Sequence, residues 1–168
     1  RGCVVPLQFK TFTTEVQKVL ADYAQKGTHL FVSGAYVATD LWNNPLAPAQ
    51  KSDIYFATNV LKYKWRNSRA ALTGNVTMVR SPLNLSIDRY KYAHVLNEKV
   101  YVVESPDAIE PACDSAYTVM RYPENNLSAA IAYKGAYKTF VMGFPFETLT
   151  VPLEREKLMK EITLFFER

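Results

Sequence analysis

The sequence predicts a single mixed α/β domain, and three observations support this. A helical pattern ends at Gly27, and an apolar, strand-like run at residues 29–32 follows it directly. Strand-like runs dominate the middle of the chain, and helical spacing returns only at residues 153–166. A wholly parallel sheet would alternate strand and helix throughout. We therefore expect one domain over residues 1–168, with a mixed sheet and a β-rich middle.

The composition is that of an ordinary globular domain. The chain has 168 residues, of which 48% are hydrophobic and 21% charged. No apolar run approaches the roughly 20 residues that a membrane helix needs. The net charge is +4, but Lys and Arg are interspersed with Asp and Glu, so nucleic acid is not an expected partner. No motif for a cofactor is visible, and none is predicted.

The first half of the chain carries two helical patterns around one strand. Residues 3–9 are typical of an edge or lead-in segment, because a proline interrupts a β-prone run. Thr13 is a predicted helix cap, and Gly27 is the predicted stop. Helical spacing predicts that an apolar face lies on the sheet, made of Val16, Val19, Leu20 and Tyr23. A second helix is expected to begin at Pro48 and to point four side chains inward, namely Ile54, Ala57, Val60 and Leu61.

The second half is predicted to be mostly strands. These are expected at residues 74–80, 90–95, 99–103, 116–122, 128–133 and 138–144. The last three are joined by connections short enough for antiparallel hairpins. A helix over residues 153–166 closes the chain. The basic and aromatic run at residues 62–66 has two interpretations, a contact for acidic polysaccharide or a cover for the edge of the core.

The first candidate site is residues 33–40, which follow the first predicted strand. Ligands of open α/β sheets sit beyond the carboxyl ends of the strands, so Ser33, Tyr36 and Asp40 are candidates. Ser33 is either a nucleophile or a turn residue. The surrounding run is Phe-Val-Ser-Gly-Ala, so the Gly-x-Ser-x-Gly elbow of serine hydrolases is absent.

The second candidate site is the stiff acidic segment 104–111, which holds three carboxylates and two prolines. Glu104 and Asp107 could act as acid and base or bind a ligand. The alternative is a solvated connection in which Ser105 and Asp107 close turns. Glu104, Asp107 and Glu110 lack the ligand spacing of an EF-hand, and no metal site is predicted.

The chain has two cysteines, Cys3 and Cys113. They are either a disulfide pair, which would imply an oxidising compartment, or two unrelated thiols. Neither lies in a Cys-x-x-Cys motif or in a metal-ligand spacing.

Four segments together resemble a known family: residues 30–36, 59–66, 104–111 and 143–147. They are similar to the C-terminal domain of secreted multidomain proteins of gut bacteria that are commonly labelled xanthan lyase. That domain resembles class I glutamine amidotransferases, with their flavodoxin-like fold. The resemblance implies a three-layer α/β/α sandwich, flanking domains in the parent protein, a polysaccharide context, and a secreted, periplasmic or cell-surface location.

Catalysis does not carry over from this resemblance. An active amidotransferase needs a nucleophilic Cys on an elbow together with a His. Neither Cys lies in such a frame, and the last predicted strand is followed by Glu147 without a His. The expectation is a non-catalytic module that assists polysaccharide binding or degradation. The alternatives are a purely structural inter-domain module and a lyase or hydrolase acting on acidic glycans.

The enzyme alternative makes a geometric prediction. Ser33, Tyr36 and Glu147 are the candidate catalytic residues, and Asp40, Glu104 and Asp107 are the accompanying carboxylates. These six side chains are expected to converge on one cleft at the carboxyl ends of the strands.

Overall fold

The computed structural model describes residues 11–45, 48–83 and 85–168. The α-helices of these residues are α1 (Thr14–Gln25), α2 (Thr39–Trp42), α3 (Lys51–Tyr55) and α4 (Pro152–Glu167). A π-helical stretch at Phe56–Leu61 continues α3, and a 3₁₀ turn at Phe146–Thr148 precedes α4. The strands are β1 (Leu30–Ser33), β2 (Tyr63–Asn67), β3 (Asn75–Met78), β4 (Arg89–Lys91), β5 (Ala108–Pro111), β6 (Ala116–Arg121), β7 (Ser128–Lys134) and β8 (Lys138–Met142).

Six of the strands form one mixed sheet in the order β1-β8-β7-β6-β3-β4. β1 and β8 are parallel, and the other neighbours are antiparallel. The sheet is curled into a half-barrel and carries few helices. β2 and β5 pair separately as an antiparallel ribbon. The predicted mixed α/β class and its β-rich middle are confirmed, as are the two hairpins that link β6, β7 and β8.

The central strand β7 separates two hydrophobic clusters. Ala130 and Ala132 belong to one cluster with α4, whereas Ile131 between them belongs to the other with α1 and the π-helical stretch. Residues 128–132 are all buried, which is expected for a strand with packing on both faces.

Helix α1 has the predicted ends, but a different side of it faces the core. The hydroxyl of Thr13 caps it by accepting from the backbone N–H of Val16, and Gly27 follows it with a φ of +84°. The predicted burial of its apolar face is wrong, because three of the four apolar side chains, those of Val16, Val19 and Tyr23, are exposed.

The buried side of α1 is instead held by a polar residue. The amide nitrogen of Gln17 donates to the backbone oxygen of Phe12 at 3.0 Å and to the carboxylate of Asp53 at 2.8 Å. A buried amide is stable where its hydrogen bonds are made, and these two bonds fix which side of α1 faces the core.

The second helix begins later than predicted. It starts at Lys51 rather than Pro48, because a capping box joins the backbone of Gln50 to Asp53. Of the side chains expected to point inward, Ala57 and Leu61 are buried, while Ile54 and Val60 are partly buried.

Two predictions for the segment before β6 are wrong. Residues 99–103 form no strand, because the side-chain oxygen of Asn97 accepts from the backbone N–H groups of Lys99 and Val100 and turns the chain. Conversely, residues 108–111 of the predicted acidic loop are strand β5, which pairs with β2. The basic and aromatic run at residues 62–66 therefore lies largely within a strand.

Candidate functional site

A cleft of about 530 Å³ lies where the parallel strands β1 and β8 end. Ser33 of β1 is in register with Met142 of β8, so the residues that follow both strands emerge at the same edge of the sheet. This edge is where α/β sheets usually bind ligands. Three segments line the cleft: residues 33–37 after β1, residues 101–105 before β5, and Pro145 and Glu147 after β8, with Thr11 beside them.

Four of the six residues predicted to converge do line this cleft. These are Ser33, Tyr36, Glu104 and Glu147. Asp40 and Asp107 lie outside the lining. Asp40 binds its edge, because its carboxylate accepts from the backbone N–H of Thr11 at 3.2 Å and from the Thr11 hydroxyl.

The Ser33 hydroxyl is engaged with the backbone, and no His accompanies it in the described lining of the cleft. Its hydroxyl oxygen accepts from the backbone N–H of Phe146 at 3.3 Å. No His, Cys, Lys or Arg lines the cleft among the described residues. A serine nucleophile needs a neighbouring base to remove its proton. The geometry therefore fits a serine that fixes the turn after β8 to the end of β1.

Glu147 is held by Tyr101, which was not predicted as a site residue. The Tyr101 hydroxyl donates to Oε1 of Glu147 at 2.6 Å. Partial burial raises the pKa of Tyr101 above its ordinary value, and the hydrogen bond to Glu147 raises it further. The phenol therefore stays protonated near neutral pH and continues to donate. The backbone oxygen of Glu147 accepts from the Arg155 guanidinium at 2.8 Å.

Asp107 is buried and is not among the residues that line the cleft. Its side chain is fully buried and accepts from the backbone N–H of Ala38 at 2.8 Å, from that of Thr39 at 2.9 Å and from the Thr39 hydroxyl. These bonds hold the chain that leads from the cleft into α2. The pKa of the Asp107 carboxyl is raised to about 7. Burial is the largest cause of this rise, and the charge of the nearby Asp40 adds to it. The three hydrogen bonds act in the opposite direction.

The backbone of Asp107 is fixed as closely as its side chain. Its N–H donates to the oxygen of Gly143 at 2.7 Å, and its oxygen accepts from the Tyr122 hydroxyl at 2.9 Å. A Cβ on Gly143 would lie 2.0 Å from the Asp107 oxygen. The glycine therefore lets the end of β8 approach the acidic segment.

Neither a metal centre nor the disulfide is visible in the described residues. No group of three or more His, Cys, Asp or Glu side chains there could hold a metal ion. Cys113 is exposed, and Cys3 lies outside the described residues, so their pairing stays a prediction. Within the described ranges, every helix is too short or too polar to span a bilayer.

The chemistry of the cleft follows from its charged and aromatic groups. Its charged lining residues are Glu104 and Glu147, both exposed, and its large aromatic ones are Tyr36 and Tyr101, which are 48% and 56% exposed. The described lining thus offers hydrogen-bond acceptors and ring faces, and it is negative.

Comparison with known proteins gives structural neighbours only. No family model and no curated protein matches the sequence. An exo-β-1,4-mannosidase from Opitutaceae bacterium strain TAV5 is similar with a TM-score of 0.52 and 15% identity, over 92% of this chain and 23% of that one. A β-galactosidase from Bacillus circulans sp. alkalophilus is similar with a TM-score of 0.50 and 11% identity, over 88% of this chain and 19% of that one. The chain thus spans about a fifth of the length of these glycoside hydrolases, and its fold resembles one part of them.

Proposed function

We propose that this chain is a non-catalytic accessory domain of an exported, carbohydrate-active protein. Two findings support the proposal. The fold resembles a small part of two large glycoside hydrolases, which agrees with a domain that works beside others. The cleft at the strand ends also has ligand-binding size, since ligand pockets usually measure about 300–1,000 Å³.

The observation that carries the proposal is the environment of Ser33. Its hydroxyl oxygen accepts from the backbone of Phe146, and no His or Cys lies in the described lining of the cleft. The cleft therefore offers no activated nucleophile of the amidotransferase or serine-hydrolase kind. We further propose that the domain is a glutamine amidotransferase-like, flavodoxin-like sandwich, flanked by other domains in a secreted, periplasmic or cell-surface protein.

The proposal is tested by measuring binding and turnover on the same purified chain. Retention of the chain in gels that contain soluble polysaccharide reports binding. New reducing ends report hydrolysis, and new ultraviolet absorbance reports the unsaturated products of a lyase. We expect retention by at least one polysaccharide without turnover of any. Turnover at a rate that tracks protein concentration would refute the non-catalytic assignment.

A second candidate function is hydrolysis, favoured by the two carboxylates in one cleft. Glu104 and Glu147 are of the residue type that glycosidases use as acid and base. If the chain is a hydrolase, Glu104→Gln and Glu147→Gln should each abolish turnover, whereas Ser33→Ala should leave most of it.

A lyase acting on acidic glycans is less well supported. Abstraction of a proton beside a uronate carboxylate needs a group that neutralises that carboxylate. The described lining of the cleft carries no cation and two anions.

A purely structural role is the remaining alternative, and the exposed apolar face of α1 favours it. Val16, Val19 and Tyr23 present a continuous apolar stripe to solvent, which a flanking domain would cover. This role predicts no retention by any polysaccharide.

A further inference from the structure

We infer that the cleft selects an uncharged, hydroxyl-rich glycan segment and rejects uronate-bearing chains. The inference rests on the proposed glycan-binding function and names its ligand class. It departs from the acidic glycans of the lyase or hydrolase alternative. The argument comes from the aromatic groups, the carboxylates and the charge of the cleft.

Two tyrosines give the cleft apolar faces for sugar rings. Tyr36 is 48% exposed after β1, and Tyr101 is 56% exposed on the segment before β5. The two tyrosines are far apart in the sequence, yet they line the same cleft. Tyrosine combines a flat apolar body with a polar tip, which suits the apolar face and hydroxyl rim of a pyranose. Because about half of each side chain is exposed, both rings are available to a ligand.

The hydroxyl of Tyr101 also prepares Glu147 as an acceptor. The bond from this hydroxyl to Oε1 of Glu147 fixes the carboxylate without neutralising it. Glu147 and Glu104 are exposed and can accept hydrogen bonds from ligand hydroxyls. Hydrogen bonds to a charged acceptor are stronger than neutral ones, so neutral hydroxyls are well matched to these groups.

The charge of the cleft decides between neutral and acidic ligands. Every charged side chain in the described lining is a carboxylate. The Arg155 guanidinium contacts Glu147 at its backbone oxygen and is not among the lining residues. A ligand carboxylate placed beside Glu104 and Glu147 would be repelled by both. Like charges repel, so we expect the two carboxylates together to weaken the binding of a uronate by about tenfold at low salt.

The test compares neutral with acidic polysaccharides on the purified chain. Soluble β-1,4-mannan and galactan are the neutral probes, and xanthan and polygalacturonate are the acidic ones. We expect retention by a neutral probe and binding at least about tenfold weaker to both acidic probes, with the difference shrinking at high salt. Tyr36→Ala should weaken neutral binding by about tenfold, because tyrosine is enriched among the few residues that carry most of the binding energy of an interface. The matched control is Tyr55→Ala, at an exposed tyrosine of α3 outside the cleft lining.

A charge reversal tests the selectivity itself. Glu104→Lys should raise binding to polygalacturonate by about tenfold, since repulsion becomes attraction. Glu156→Lys, at an exposed carboxylate of α4, is the control and should not change binding. Circular dichroism of each variant establishes that it is folded.

The outcomes separate this inference from the proposed function. Stronger binding to acidic than to neutral probes overturns the ligand class but leaves a glycan-binding module. Neutral binding that survives Tyr36→Ala and Tyr101→Ala unchanged overturns the cleft as the site. A folded wild-type chain that binds none of the four probes overturns the proposed glycan-binding function itself.

Discussion

The buried carboxylate of Asp107 accepts a hydrogen bond from the backbone N–H of Thr39 at 2.9 Å. The same carboxylate accepts from the N–H of Ala38, so it holds the first turn of α2. The indole N–H of Trp65 donates to the Thr39 hydroxyl at 3.1 Å and adds β2 to this network. One side chain thus joins the acidic segment to the start of α2 and, through Thr39, to β2.

Asp107 should make the protein less stable as pH rises from about 4 to about 7. Its folded-state pKa is about 7 and its ordinary value is 3.8, so the folded state holds a proton that the unfolded state releases. The contribution of this proton to the free energy of unfolding is fully present below pH 4. It falls by up to about 4 kcal/mol as pH approaches 7 and does not change above that pH. Asp107→Asn keeps the shape and should remove the decline, as measured by urea unfolding across this range.

The control for this prediction is the exposed Asp114→Asn, which should keep the wild-type slope. Asp107→Ala should also remove the decline, and it should be less stable than Asp107→Asn by about 1–3 kcal/mol at every pH, because the N–H groups of Ala38 and Thr39 lose their acceptor. An Asp107→Asn protein with the wild-type pH slope would assign the slope to other groups.

Substitution of Gly143 should be far more damaging than substitution of Gly27. Gly143→Ala brings a Cβ to 2.0 Å from the Asp107 backbone oxygen, where neither chain can yield without breaking the pairing around it. We expect a loss of about 3 kcal/mol or more. Gly27→Ala meets no atom within 4 Å and pays only for its φ of +84°, about 1 kcal/mol. Thermal unfolding of both variants tests the difference, and equal losses would contradict it.

On α1, substitution of an exposed apolar residue should be tolerated better than substitution of a buried polar one. Val19→Lys should change stability by no more than about 0.5 kcal/mol, because the side chain is 52% exposed. Gln17→Ala should cost about 1–3 kcal/mol, because it removes hydrogen bonds to Phe12 and Asp53 inside the core. Chemical denaturation measures both. A large loss at Val19 with none at Gln17 would mean that the apolar face of α1 is buried after all.

The bond from Tyr101 to Glu147 should restrain residues 101–105 locally. Tyr101→Phe removes one hydrogen bond to a charged acceptor at the surface, so we expect faster amide hydrogen exchange in this segment. The global stability should change by less than about 0.5 kcal/mol. Tyr55→Phe is the control, since Tyr55 is exposed on α3. Unchanged exchange in residues 101–105 would show that other contacts hold the segment.

The sequence identified those parts of the cleft that follow from local rules. Ser33 and Glu147 were predicted because each follows a buried strand, and residues after parallel strands meet at one edge of the sheet. Glu104 was predicted because it lies in a segment with three carboxylates. Tyr101 was missed because residues 99–103 have strand-like composition, whereas the side chain of Asn97 turns them and the backbone of Val103 bonds to Ala93.

Two other differences depend on partners that lie far away in sequence. Nothing local distinguishes Asp107 from Glu104, yet one is buried against Thr39 and the other is exposed. The side of α1 that faces the core likewise depends on the hydrogen bond between Gln17 and Asp53. Helical spacing shows which side chains share a face but not which face the core will take.

The parallel pairing of β1 with β8 has a consequence for how the chain acquires its structure. Leu30 lies in register with Thr139 and Ser33 with Met142, so most of the chain separates the partners. Contacts so distant in sequence require the closure of a large loop, and they slow folding. Among the described strands, β8 is the sheet neighbour of β1, so β1 makes this pairing only after β8 has left the ribosome, whereas β6 to β8 can pair as soon as each is made. The cleft is therefore among the last parts of the molecule to form.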